Sequence, residues 1–199
     1  MQLGLIWKIL RAKPTLSEVV TNFCYNLSHS EKYKLEKVVE MPLPVGTFIA
    51  EQAELPGFYT DCYGIKLDHA ITLPEFMAAF YTTLLFRLER LMLALIPKGR
   101  MKDADVTALA SGESDTMAIW QIESRRDCEI LLSAGRTKSW LMVDAHNGGT
   151  QLFFGSVVVP EPPKREGGTP WLGPVFDSLL SAHRIYSRML LGSAAQRLS

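Results

Sequence analysis

The sequence predicts an α+β domain: a curved antiparallel sheet holding a long C-terminal helix, with a second long helix after the first strands. Three observations carry this. Closely spaced runs rich in β-branched, aromatic and aliphatic residues occupy 116–159, joined by short glycine-containing turns, which is the pattern of an antiparallel meander. Two stretches, 73–96 and 170–191, place apolar residues at helical spacing. Strands and helices do not alternate one for one, so a parallel βαβ sheet is not expected.

Residues 1–38 stand apart. They hold six basic residues (Lys8, Arg11, Lys13, Lys32, Lys34 and Lys37) against three acidic ones (Glu18, Glu31 and Glu36), whereas the remainder carries a compensating acidic excess. Val19, Val20, Phe23 and Leu27 fall at helical spacing within this segment. It is expected to be an arm outside a single domain formed by residues 39–199: a loosely attached segment, upstream sequence from a misplaced start, or a basic arm touching a membrane or partner.

A strand is expected over 45–50, after the punctuation of Pro42 and Pro44, and another over 59–67 beyond the Leu55-Pro56-Gly57 turn. Thr72 and Glu75 have the spacing of a capping box, and Pro74 suits a first helical turn. The helix they open should run to Ile96 and stop at Pro97. Its main stripe is Leu73, Phe76, Met77, Phe80, Leu84, Leu88, Leu91 and Leu95. Leu85, Phe86, Leu93 and Ile96 lie on the other side, so this helix is either deeply buried or in contact with another chain, and a homo-oligomer is one outcome.

A short helix is expected over 103–110, then strands over 116–123, 129–134, 137–145 and 150–159. Taking Asn147-Gly148-Gly149 as a three-residue loop sets Trp140 opposite Ser156 and Met142 opposite Phe154. Thr169 should cap the last helix, with Pro170 in its first turn and Gly192 at its end. Its apolar stripe comprises Leu172, Val175, Phe176, Leu179, His183, Tyr186 and Leu190, with Asp177, Arg184 and Arg188 opposite.

Composition excludes several classes of function. The 199 residues are 47% hydrophobic and 21% charged, with 21 basic and 21 acidic side chains, which is the balance of a globular protein rather than a nucleic-acid binder. Cys24, Cys62 and Cys128 form no CxxC pair, so neither a disulfide framework nor a zinc site is implied, and reduced thiols in a cytoplasmic protein are expected. Charges interrupt the first 14 residues and the apolar stretch 73–96, so neither a signal sequence nor an integral membrane segment is expected. No Walker A, GxGxxG, GxSxG or HExxH motif occurs, and His29, His69, His146 and His183 show no ligand spacing. No cofactor and no metal are implied.

The candidate site residues are therefore constellations rather than motifs. His183 sits in the middle of the last helix's apolar stripe, either as a core histidine bonded to a backbone carbonyl or as a polar contact in a cavity between helix and sheet. Tyr186 is one turn further on the same face. Arg87 borders the long helix's stripe and needs a carboxylate, carbonyls or an anionic ligand; Asp61, Asp103, Asp105 and Glu123 are its candidate partners. Trp120 and Trp140 give the sheet an aromatic load that reads as core or as pocket wall.

Several short pieces resemble one family in order and spacing. They are Tyr59-Thr60-Asp61-Cys62-Tyr63, Glu75-Phe76-Met77-Ala78-Ala79-Phe80, Phe86-Arg87-Leu88-Glu89-Arg90, Ala118-Ile119-Trp120, Gly135 to Leu141, and Phe154-Gly155-Ser156. Over residues 38–160 the chain resembles the bacterial domain of unknown function 2867 family, itself similar to the helix-grip superfamily of START and Bet v 1 proteins. The resemblance implies an apolar cavity between sheet and C-terminal helix and transfers no catalytic residue. The expected function is binding of a small hydrophobic ligand there, with His183, Tyr186, Arg87, Trp120 and Trp140 as ligand-binding residues. The alternative is an enzyme, cyclase- or hydrolase-like, using Arg87, His183 or Tyr186 as acid, base or anion clamp.

Overall fold

A computed structural model describes residues 38–94, 99–161 and 170–199, and within them seven strands form one antiparallel sheet. The chain runs through β1 (Val39–Glu40), α1 (Phe48–Ala53), β2 (Tyr59–Leu67), α2 (Leu73–Tyr81), α3 (Leu84–Leu93) and α4 (Asp103–Ser111). It continues through β3 (Thr116–Met117), β4 (Trp120–Arg125), β5 (Glu129–Ala134), β6 (Thr137–His146), β7 (Gly149–Val158) and α5 (Pro174–Leu198). The sheet order is β1-β2-β7-β6-β5-β4-β3. The fold is thus α+β with a long C-terminal helix, as the element order predicts. Residues 1–37, 95–98 and 162–169 lie outside the described residues.

The expected strand over 45–50 is instead the helix α1. Thr47 caps it by accepting from the Ala50 N–H. The Phe48 N–H is claimed by the buried carboxylate of Glu129, 81 residues away. Tertiary bonding overrides the extended propensity that β-branched and aromatic neighbours confer. Strand β2 and the Thr72–Glu75 capping box form as read from the sequence.

The helix expected over 73–96 is broken at Thr82-Thr83. Thr82 Oγ1 donates back to the Ala78 carbonyl at 2.7 Å, and Thr83 Oγ1 donates to the Phe80 carbonyl at 3.0 Å. The Thr83 oxygen also accepts from the Phe86 N–H at 3.1 Å, acting as the N-cap of α3. The break re-aims the stripe. Leu73, Phe76, Met77 and Phe80 are buried, but beyond it the chain turns Leu85, Phe86, Glu89 and Leu93 inward and leaves Leu84 and Leu91 in solvent. The proposed stop at Pro97 lies outside the described residues.

The β6–β7 turn corrects the predicted register. His146 pairs with Gly149, so the loop is the two residues Asn147 and Gly148, both at positive φ (48° and 82°). That is the type I′ turn for which Asn-Gly is preferred. The one-residue change puts Trp140 opposite Gly155 and Met142 opposite Phe153, which exchanges the faces. Gly155 is required where it stands. A Cβ there would lie 2.3 Å from Ile49 Cδ1 and 2.6 Å from the Asp61 carbonyl.

Both sheet faces are covered. The larger core sets α2, α4 and α5 against Tyr63, Ile65, Trp120, Leu132, Leu141 and Phe154. On the opposite face α1 packs Phe48 and Ile49 against Cys62, Leu131, Trp140, Met142 and Phe153. Glu129, 2% exposed, ties this second layer together: Oε2 accepts from the Phe48 N–H and from Trp140 Nε1, and Oε1 accepts from Arg126. The Arg126 guanidinium also lies 4.3 Å over the Phe48 ring.

Helix α5 begins at Pro174 rather than Pro170 and runs through Gly192 to Leu198, because Ala194 and Ala195 extend its buried face past the glycine. Thr169 and the side chains of Val175, Phe176, Asp177 and Leu179 lie outside the described set. No described helix is long and apolar enough to cross a membrane.

Candidate functional site

Strand pairing builds the most polar part of the interior. The β2–β7 register sets Asp61 beside Ser156, and the β6–β7 register sets Ser139 on the other side of Ser156, all on the helix-facing side. Helix α5 brings His183 against them. Asp61 Oδ1 accepts from the Ser156 N–H at 2.9 Å and from Ser156 Oγ at 2.5 Å. His183 Nε2 lies 2.7 Å from Ser156 Oγ and 3.0 Å from Asp61 Oδ2. Tyr59 completes the group by donating its hydroxyl to Asp61 Oδ2 at 3.1 Å. With the Ser156 proton given to Asp61, the network requires a proton on His183 Nε2, which donates to both oxygens.

All three central residues are buried: Ser156 at 0%, His183 at 1% and Asp61 at 6%. Burial by itself pushes the Asp61 carboxyl upward, but the hydrogen bond and charge of His183 and the two bonds from Ser156 outweigh it and hold the carboxyl below its ordinary value. Burial and the adjacent Asp61 carboxylate push Tyr59 up to about 12, against an opposing hydrogen bond with Arg184. An Asp, a His and a Ser in mutual contact invite comparison with a hydrolytic triad. The wiring differs. In a triad the carboxylate holds one ring nitrogen and the serine faces the other. Here both meet Nε2, while Nδ1 is buried without a partner among the described residues. The serine has no exposed surface from which to reach a substrate.

The other predicted site residues are elsewhere. Tyr186 donates its hydroxyl to Glu89 Oε2 at 2.6 Å, joining α5 to α3. Arg87 pairs with Asp103 at 2.8 Å on the surface, where Arg90 bonds the same carboxylate, so the structural partner is one of the four named from sequence. Trp120 is 1% exposed and helps bound a void of about 10 Å³ with Phe80, Phe86, Glu89 and Leu190. Such a volume admits about one water molecule. Trp140 is on the opposite face of the sheet, in the α1 layer. The five residues therefore do not line one enclosed cavity: the register change removes Trp140, the break at Thr82-Thr83 carries Arg87 to the surface, and Trp120 lies in the void with Tyr186's partner Glu89.

Sequence reasoning missed Ser156, Glu89 and Glu129 as interior polar anchors and named Asp61 only as a partner for Arg87. Asp61 does carry a signal, being a carboxylate on the inward side of an alternating strand whose next inward positions are Tyr63 and Ile65. Ser156 is matched to it by the pairing of β2 with β7, two strands far apart in sequence whose register no local turn fixes. Cys62 is buried, its thiol pushed up to about 12 by burial, and Cys128 is exposed. No group of three or more His, Cys, Asp or Glu side chains is gathered to hold a metal among the described residues.

No family model matches the chain, and no curated protein matches it. Among solved structures it is similar to a conserved protein of unknown function from Enterococcus faecalis, at 9% identity over 76% of this chain and 81% of that one, with a TM-score of 0.36. At that level of superposition the two folds are not shown to be the same.

Proposed function

We propose that the protein is a non-catalytic binding protein of helix-grip type, which takes a small, largely apolar molecule with one hydrogen-bonding group between its sheet and α5. The observation that supports this most is the Nδ1 atom of His183: a ring nitrogen on a residue 1% exposed, held in a fixed orientation by Asp61 and Ser156, with no partner of its own among the described residues. A buried polar atom left unpaired costs about 1–3 kcal/mol, and a ligand group bonding to it recovers that cost. Tyr63 Oη and Ser187 Oγ, on the β2 and α5 sides of the same interface, are also buried and unpaired among the described residues. Apolar walls from Phe80, Phe154 and Leu190 adjoin them. The packed space described near Trp120 is about 10 Å³, so an occupant requires α5 to part from β2. The shared Nε2 and the buried serine disfavour the hydrolytic alternative.

Native mass spectrometry of the full chain purified from its own host tests this. The expected result is a species carrying extra mass that is lost on denaturation, and that His183→Leu retains at least fivefold less, about 1 kcal/mol. A bare mass in every charge state, with no uptake of added decanoic acid, would overturn the binding reading. Ester hydrolysis abolished by Ser156→Ala would replace it with the enzyme.

A further inference from the structure

We propose that the exposed face of α3 docks on an anionic phospholipid surface. The break at Thr82-Thr83 leaves α3 with an unusual outward arc. Leu84, Leu88 and Leu91 fall at i, i+4 and i+7 and are 78%, 36% and 68% exposed, side by side on one face. Single exposed leucines are ordinary, but three in register on one helix form a contiguous apolar strip that water does not favour. The strip is bordered by cations. Arg87, Arg90, Arg100 and Lys102 line the open cleft beside Leu91, with Asp103 the one acidic group among the described residues of that lining. Asp103 is already saturated: Arg90 and Arg87 both bond it, and together with the nearby charge of Arg197 they hold its carboxyl below the ordinary range. The patch is thus net positive on a chain whose total formal charge is zero.

Charge decides among occupants. A second copy of this chain docking through the same face brings the arginine cluster against itself. The chain's own residues 1–37 carry six basic and three acidic side chains, the same sign as the cleft. An anionic bilayer surface complements both features: its acyl boundary receives the leucines, and its headgroups receive Arg87, Arg100 and Lys102. The basic arm adds attraction of the same sense. The Glu89 side of the helix stays inward on Tyr186, so docking needs no unfolding of the domain.

The test is co-sedimentation of the full chain with vesicles of equal parts phosphatidylglycerol and phosphatidylcholine, compared with phosphatidylcholine alone. Binding is expected to the anionic vesicles and to weaken as salt is raised. Arg100→Ala and Lys102→Ala should each weaken it about fivefold, the effect of one interfacial charge. Leu84→Glu with Leu91→Glu should abolish it while leaving the thermal melt unchanged, since both residues are exposed. Three results would overturn the proposal: no binding to anionic vesicles; equal binding by the leucine double variant; or a dimer in size-exclusion chromatography that the double variant dissolves.

Discussion

At Asp61 the chain keeps a carboxylate where burial alone would discharge it, with four donors from three residues on that one group: the Tyr59 hydroxyl, the Ser156 N–H and hydroxyl, and His183 Nε2. Its folded value lies below the ordinary one. A carboxyl whose folded value is depressed stabilises the fold above its unfolded value, near 3.9, and that contribution is lost as pH falls through the folded value. The urea midpoint is therefore expected to hold from neutrality to about pH 5 and to fall steeply below about pH 4. In Asp61→Ala this acid limb should flatten and stability at pH 7 should drop by about 3–5 kcal/mol, because a buried pair has lost one member. His183→Leu leaves the carboxylate behind and should cost a similar amount, while the double variant should cost much less than the sum. A midpoint for Asp61→Ala that tracks the wild type at every pH would mean that the carboxylate contributes nothing.

The elements were legible where a local signal had no competitor. Strand β2, the Thr72 capping box, the 103–111 helix and the Gly135 turn all rest on residues within a few positions of one another, and each forms as the sequence indicates. The failures share one cause, which is that a distant or competing bond decided the outcome. Helix α1 depends on Glu129, far along the chain. The 73–96 periodicity was real, but Thr82 and Thr83 each offered the backbone a side-chain bond in place of a helical one. The candidate site failed for a geometric reason: which side chains share a face depends on the β6–β7 turn, and one residue of error there sets Trp140 opposite Ser156, where the structure places Ser139. At this scale Thr83→Ala should cost about 0.5–2 kcal/mol through loss of the α3 cap, read as a lowered thermal midpoint. An unchanged midpoint would show that α3 is held by packing alone.

For the whole molecule, the described core already includes the residue before the expected domain start at residue 39. Val38 is 0% exposed within the larger core, and its carbonyl accepts from Arg188 on α5 at 3.0 Å. A chain beginning at Val38 should melt cooperatively near the full-length temperature. One beginning at Val39 should lose about 1.5–3 kcal/mol, the burial of one valine side chain. If the first of these aggregates or melts without cooperativity, residues 1–37 are part of the folding unit.

The sheet's outermost strands, β1 and β3, have only two residues each. A long, flat, open edge offers unpaired backbone groups to any passing strand and so seeds fibrils. Among the described residues neither outermost strand is long enough to be one. Next to β1 the outward rungs of β2 carry Lys66, and next to β3 the β4 strand shifts register between Ile122 and Ser124 before Arg125 turns to the carbonyls of Leu109 and Ala110. Short ends, a charge and a bulge each discourage a neighbour's strand from adding on. An antiparallel sheet of seven strands can thus stay open at both margins in a crowded solution without polymerising through its backbone, and association between molecules is left to side-chain surfaces that single substitutions can tune.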